Sequence, residues 1–169
     1  MLGVRMSAMN ISPLKLFVSY VLMLYSSLQR LTFNFILVAQ RIVNVTKIPI
    51  PNSEHLQILR YRSDQFYESH HDFIDHHVER PCGPRILTFF LYLSDVQSGG
   101  GTLFNELDIT IMPKVGRALL WPSVLSENLN KKDFRTDHEA LPVVEGTKFA
   151  ANAWLHLRDF RGWVDRGCA

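Results

Sequence analysis

From about residue 54 onward the sequence predicts a mainly β domain, a sandwich or a jelly-roll barrel. Apolar runs there are short, and several alternate with polar residues. Gly- and Pro-rich turns separate them, at Pro81-Cys82-Gly83-Pro84, Gly99-Gly100-Gly101, Pro113-Lys114-Val115-Gly116 and Glu145-Gly146. Size bounds the rest: 169 residues hold one domain with a sizeable core, and 11 Phe, 5 Tyr and 3 Trp supply bulky side chains to fill it.

Residues 1–40 stand apart as an apolar leader, with the domain expected over 41–169. The runs 16–25 (LFVSYVLMLY) and 31–39 (LTFNFILVA) flank Ser26-Ser27-Leu28-Gln29-Arg30. Neither run alone reaches the roughly 20 apolar residues of a spanning helix. Arg5 and Lys15 precede the first run, as a signal or signal anchor requires, but no small-x-small cleavage site follows. The leader therefore reads as a membrane anchor through residues 14–39, as a signal, as a helix packed on the domain, or as sequence that is not native coding. The first two place the chain in the endoplasmic reticulum membrane or lumen, and the others leave it cytoplasmic. Asn44-Val45-Thr46 is a glycosylation sequon that matters only in the secretory case.

Eight extended pieces are expected beyond the leader: 56–61, 66–73, 86–93, 102–104, 109–111, 118–121, a stretch near 138–143, and 148–156. Cys82 and Cys168 are too few for a disulfide framework and lack metal-ligand spacing. A net charge of +2, with no basic run longer than Lys131-Lys132, argues against a nucleic-acid partner.

The densest chemistry is Tyr67-Glu68-Ser69-His70-His71-Asp72-Phe73-Ile74-Asp75-His76-His77, which holds four of the seven histidines. On a strand over 66–73, alternation points His70 and Asp72 one way and His71 the other. A third ligand from a distant strand would complete a two-histidine, one-carboxylate face of the kind used by non-haem Fe(II) oxygenases. A zinc site through His70, His71, His76 and His77 is the competitor, although no HExxH pair is present.

A second cluster runs from Thr136-Asp137-His138 to Lys148-Phe149-Ala150-Ala151-Asn152-Ala153-Trp154-Leu155-His156. On a strand from Lys148, the side chains of Lys148, Asn152, Trp154 and His156 share a face. Such a row suits a pocket better than a core, because a buried Lys is costly unless it meets an anion. A dicarboxylate would supply one.

At these residues the chain resembles the catalytic domain of the prolyl 4-hydroxylase family, a branch of the Fe(II)/2-oxoglutarate dioxygenases. The resemblance covers about residues 38–160. It rests on Leu56-Gln57-Ile58-Leu59-Arg60-Tyr61, Tyr67-x-x-His70-x-Asp72, Arg85-Ile86-Leu87-Thr88 leading to Tyr92-Leu93-Ser94-Asp95-Val96, Gly99-Gly100-Gly101-Thr102-x-Phe104, and His138 ten residues before Lys148. It implies a double-stranded β-helix (jelly-roll) core with an N-terminal helical segment. It also implies His70, Asp72 and His138 as iron ligands, Lys148 pairing the distal carboxylate of 2-oxoglutarate, and Tyr61, Thr102 and Trp154 beside that cosubstrate. Tyr67, Arg85 and His156 match positions lining the peptide groove.

The implied activity is hydroxylation of peptidyl proline at C4 with Fe(II), O2, 2-oxoglutarate and ascorbate, releasing succinate and CO2. Its partner would be a proline-containing peptide or protein. The sequence does not specify the oligomeric state. Two departures stand out: Gly101 replaces the Glu of the usual Gly-Gly-Glu-Thr, and the leader replaces the strands and helices expected upstream. The alternatives are a related oxygenase with another substrate and a non-catalytic jelly roll that binds peptides.

Overall fold

The computed structural model describes residues 34–167, so most of the leader expectation and the Cys168 half of any Cys82–Cys168 pairing lie outside the described residues. Cys82 itself is a buried free thiol. The chain divides into two units between Val45 and Thr46. The first carries most of helix α1, residues 34–46. Lys47 follows it at φ 62°, the left-handed conformation that commonly ends a helix. No helix among the described residues is long and apolar enough to cross a membrane.

The second unit is built on strands β1 (Gln57–Tyr61), β2 (Tyr67–His70), β3 (Arg85–Tyr92), β4 (Ser98–Gly99), β5 (Thr102–Phe104), β6 (Ile109–Ile111), β7 (Ala118–Pro122), β8 (Val124–Leu125), β9 (Asn128–Lys132), β10 (His138–Ala140), β11 (Val143–Glu145) and β12 (Lys148–His156), and closes with the short helix α2 (Arg161–Val164). Two four-stranded antiparallel sheets, ordered β1-β12-β3-β7 and β2-β10-β5-β6, form the jelly-roll core. Phe90, Tyr92, Trp121 and Ala150 from the first sheet meet Phe104 from the second, with Leu59, Ile111 and Leu119 around them. Phe104 stands edge-on to Trp121 at 5.2 Å between ring centres, the T-shaped contact aromatic pairs favour.

Two of the differences from the expected strands have local causes, and two more are short or polar pieces. The strand expected over 66–73 stops at His70, because the Phe73 N–H donates to His71 Nδ1 (2.9 Å) instead of to a ladder, and a 3-10 turn follows at Asp75–Glu79. The stretch near 138–143 splits at Leu141-Pro142, where proline offers no N–H, and its halves β10 and β11 join different sheets. The polar β8–β9 hairpin was not expected, since Asn128-Leu129-Asn130-Lys131-Lys132 lies almost wholly exposed and carries no alternation. Strand β4 is Ser-Gly only, and Gly99 takes φ 75°.

Candidate metal centre

Strand β10 lies between β2 and β5, and its register places His138 directly opposite both His70 and Phe104. Cross-strand partners point to the same face, so the two imidazoles meet, their ring centres 4.3 Å apart. Asp72 stands two residues past the end of β2, where its carboxylate is fixed from the other sheet. Thr88 Oγ1 donates to Oδ2 at 2.5 Å and Trp154 Nε1 donates to Oδ1 at 2.9 Å. Thr88 and Trp154 are themselves register partners on β3 and β12. Ligand atoms of His70, Asp72 and His138 all lie within 4.8 Å of one another, and no other such group of three occurs among the described residues.

The imidazoles are prepared as ligands. His70 Nδ1 lies 2.8 Å from the carbonyl of Glu68, and His138 Nδ1 lies 2.9 Å from the carbonyl of Thr136. A carbonyl can only accept, so each Nδ1 carries a proton and Nε2 is left as the nitrogen that can face a metal. Burial also pushes the His138 imidazole below its ordinary range, against the pull of Asp72. The donor set of two imidazoles and one carboxylate, with no fourth protein ligand among the described residues, fits Fe(II) with open positions.

His71 and His77 are engaged elsewhere. His71 Nε2 meets the Asp133 carbonyl (2.9 Å) and Thr136 Oγ1 (3.0 Å). His77 is buried and held down to about 4 by desolvation first and by His156 and Arg80 next. The zinc alternative through His70, His71, His76 and His77 is not assembled.

A cavity of about 330 Å³ opens on this triad, lined by both sheets, among them Tyr61, Tyr67, Arg85, Thr102, Asn152 and Trp154. Lys148 and His156 do not line it. Lys148 is wholly buried, and its Nζ has no hydrogen-bond partner. The Nζ lies 5.3 Å from the ring centre of Tyr61 and 5.6 Å from those of Phe90 and Tyr92. Tyr61 and Phe90 face the cavity. Desolvation holds the ammonium down to about 8. An isolated cation beside a pocket is what a ligand carboxylate would neutralise, so the residues present fit a dicarboxylate as well as the metal. Thr102 is tied to the Tyr92 hydroxyl at 2.8 Å.

His156, expected in the substrate groove, is turned away from it. Its Nδ1 faces the Gly83 carbonyl at 2.8 Å, its Nε2 faces Glu54 Oε1 at 2.8 Å, and its ring stacks on Phe160 at 4.6 Å. Arg85 does reach the cavity, with its guanidinium carbon 3.8 Å from the Trp154 ring centre and its Nε donating to Glu54 Oε1 at 2.6 Å. Sequence reasoning missed Glu54, Thr88 and Tyr92 as site residues. Thr88 was findable: on β3 it is a lone hydroxyl in an apolar run, a residue type that needs a buried partner.

Comparison with known proteins agrees with this geometry. The family model of the 2OG-Fe(II) oxygenase superfamily matches residues 56–156. Human prolyl 4-hydroxylase subunit alpha-1 is 37% identical over 123 residues, covering 70% of this chain and 23% of the relative. Prolyl 4-hydroxylase 5 of Arabidopsis thaliana is 34% identical over 145 residues, covering 73% of this chain and 49% of the relative. Among solved structures, the viral collagen prolyl hydroxylase of Paramecium Bursaria Chlorella virus-1, in its 2OG complex, superposes with a TM-score of 0.56 at 34% identity, covering 62% of this chain and 59% of that one. The chain thus spans between about a quarter and three-fifths of these relatives.

Proposed function

Since this chain belongs to the 2OG-Fe(II) oxygenase superfamily, we propose that it hydroxylates peptidyl proline at C4, consuming O2 and 2-oxoglutarate and releasing succinate and CO2. The observation that carries the reading is the pairing of the His70, Asp72 and His138 triad with an unpartnered, buried Lys148 Nζ on one jelly roll. Relatives and a solved neighbour that bear the name prolyl hydroxylase support the choice of substrate.

Iron and 2-oxoglutarate, once bound, would supply the oxidising power, coupling reduction of O2 and decarboxylation of the cosubstrate to oxygen insertion at a C–H bond. The chain's own residues bind and orient. His70 and His138 would hold the metal through Nε2, with the Asp72 carboxylate aimed by Thr88 and Trp154. Lys148 would pair with the distal carboxylate, and the rings of Tyr61, Phe90 and Tyr92 around its Nζ keep water from competing for that charge. Thr102 and Tyr92 offer hydroxyls nearby, and Tyr67 and Arg85 stand at the cavity for the peptide. Ascorbate belongs to the same reading as the reductant of the metal.

The apolar runs and the cations before them support entry into the endoplasmic reticulum, as lumenal or membrane-anchored protein; translation with microsomes, followed by protease, should leave the second unit protected, and digestion there would refute it. The activity is tested by incubating the iron-loaded chain with a proline-rich peptide and 2-oxoglutarate. Succinate release should match the amount of peptide gaining one oxygen on proline. Matched succinate and oxygen on a different residue would keep the chemistry and overturn the substrate.

A further inference from the structure

Glu54 lies just before β1 and no motif singles it out, yet the two basic residues expected to line the groove both converge on it. Its Oε1 accepts from Arg85 Nε at 2.6 Å and meets His156 Nε2 at 2.8 Å. Arg85 and His156 are register partners on β3 and β12, next to a register shift between Leu155 and His156, and one carboxylate reaches both. The backbone fixes Glu54 in turn: its N–H donates to the Trp154 carbonyl at 2.9 Å, and Ser53 bridges to Leu155. Burial alone would push the Glu54 carboxyl up, but hydrogen bonds from His156 and Arg85 outweigh it and hold the group below its usual range.

The geometry has a consequence for Arg85. The Glu54 bond uses only Nε, and the guanidinium carbon lies over the Trp154 indole, 3.8 Å from the ring centre. Among the described residues, no partner engages the two terminal nitrogens, while Arg85 lines the cavity. A guanidinium clamped at Nε and stacked on one face has lost most of its rotamer freedom, so little entropy remains to be lost when a ligand binds its free fork. Trp154 continues the chain of contacts to Asp72.

We propose that Glu54 is a positioning residue for substrate: it anchors Arg85 on Trp154 so that the guanidinium's free nitrogens present a fixed fork to a carbonyl oxygen of the peptide backbone. The role of Arg85 toward peptide rests on the proline-hydroxylase reading; the anchoring does not. Two measurements on the full-length chain therefore separate them. The first follows the Arg85 Nε–H resonance by NMR in the metal-free chain. It should carry the shift of a stacked, carboxylate-bonded group in the wild type and move toward the free-arginine position in Glu54→Ala. Glu54→Gln, which keeps the shape and one acceptor oxygen, should move it less and guards against a folding defect. An unmoved resonance overturns the anchoring.

The second is kinetic. Glu54→Ala should raise the peptide KM about tenfold and shift kcat by less than about twofold, the split expected of lost binding alone. In the Arg85→Ala background the same change should add almost nothing, whereas a merely structural residue would add its full effect there. Additivity, or an unchanged peptide KM, overturns the positioning role. A wild-type chain that hydroxylates no proline peptide would sink the substrate reading, and the Arg85 resonance would still decide the anchoring.

Discussion

At the scale of single residues, the fold carries a charge it does not satisfy. Lys148 is fully buried without an acceptor, and desolvation lowers it from 10.5 to about 8. Below pH 8 the ammonium is charged in both folded and unfolded chains, and the folded one bears a penalty of about 3 kcal/mol. Between pH 8 and 10.5 the folded chain releases the proton that the unfolded chain retains, so stability rises with pH across that window. Lys148→Met keeps the length without the charge, and the ligand-free variant should be more stable than the wild type at pH 7. Urea unfolding at pH 7.5 and 9.5 should show that advantage shrinking by about 2 kcal/mol. The same variant should lose calorimetric binding of 2-oxoglutarate while still binding Mn(II); a less stable variant would mean that the ammonium is satisfied. Thr88 poses the converse case, a buried hydroxyl wholly committed to Asp72 Oδ2. Thr88→Val removes a charge-assisted bond, and it should cost about 2 kcal/mol of stability and weaken Mn(II) binding about tenfold or more. Unaltered Mn(II) affinity in a calorimetric titration would show that Trp154 alone suffices to orient the carboxylate.

At the scale of elements, the site is a product of register, and register is what the sequence showed least directly. The pairing of His138 with His70 and Phe104, and of Trp154 with Thr88, brings residues 68, 34 and 66 positions apart into contact. Short apolar or alternating runs made β1, β3, β5, β6, β7 and β12 readable to within a residue or two, β3 and β12 being buried on both faces. Alternation separated His71 from His70 and Asp72, although the strand invoked for that argument ends at His70 and a local bond to the Phe73 N–H completes the turn. Strands β4, β8 and β9 were not legible: β4 is Ser-Gly and pairs with the distant β11, β8 is only Val124-Leu125, and its hairpin partner β9 is an exposed polar run without alternation. His156 was misplaced for a related reason: the shared face of β12 was readable, but Glu54, which draws the ring out of the cavity, comes from outside the strand. Strand β4 also yields a prediction. Gly99 sits at φ 75°, and a Cβ there would lie 2.7 Å from the Val144 nitrogen and crowd the Pro142 carbonyl. Gly99→Ala should therefore cost about 3 kcal/mol, since backbone rather than a flexible side chain must give way. A urea midpoint within error of the wild type would show that the β4–β11 pair yields without cost.

At the scale of the whole molecule, every residue assigned to the metal, the cosubstrate or the peptide falls between Glu54 and His156, inside the unit that begins at Thr46. The family match, residues 56–156, lies in the same unit. Both four-stranded sheets and the aromatic cluster between them are also drawn entirely from it. Pocket formation should thus be independent of the first unit, and a chain starting at residue 46 should bind Mn(II) and 2-oxoglutarate with the affinity of the full chain. Stability provides a second readout, because a ligand that binds only the folded state at about 100 times its Kd adds about 2.7 kcal/mol. Cosubstrate at that excess should raise the unfolding midpoint of the shortened and full-length chains by matching amounts. If the shortened chain folds but gains nothing from 2-oxoglutarate, then the segment before residue 46 contributes to shaping the Lys148 pocket, and the site cannot be assigned to the second unit alone.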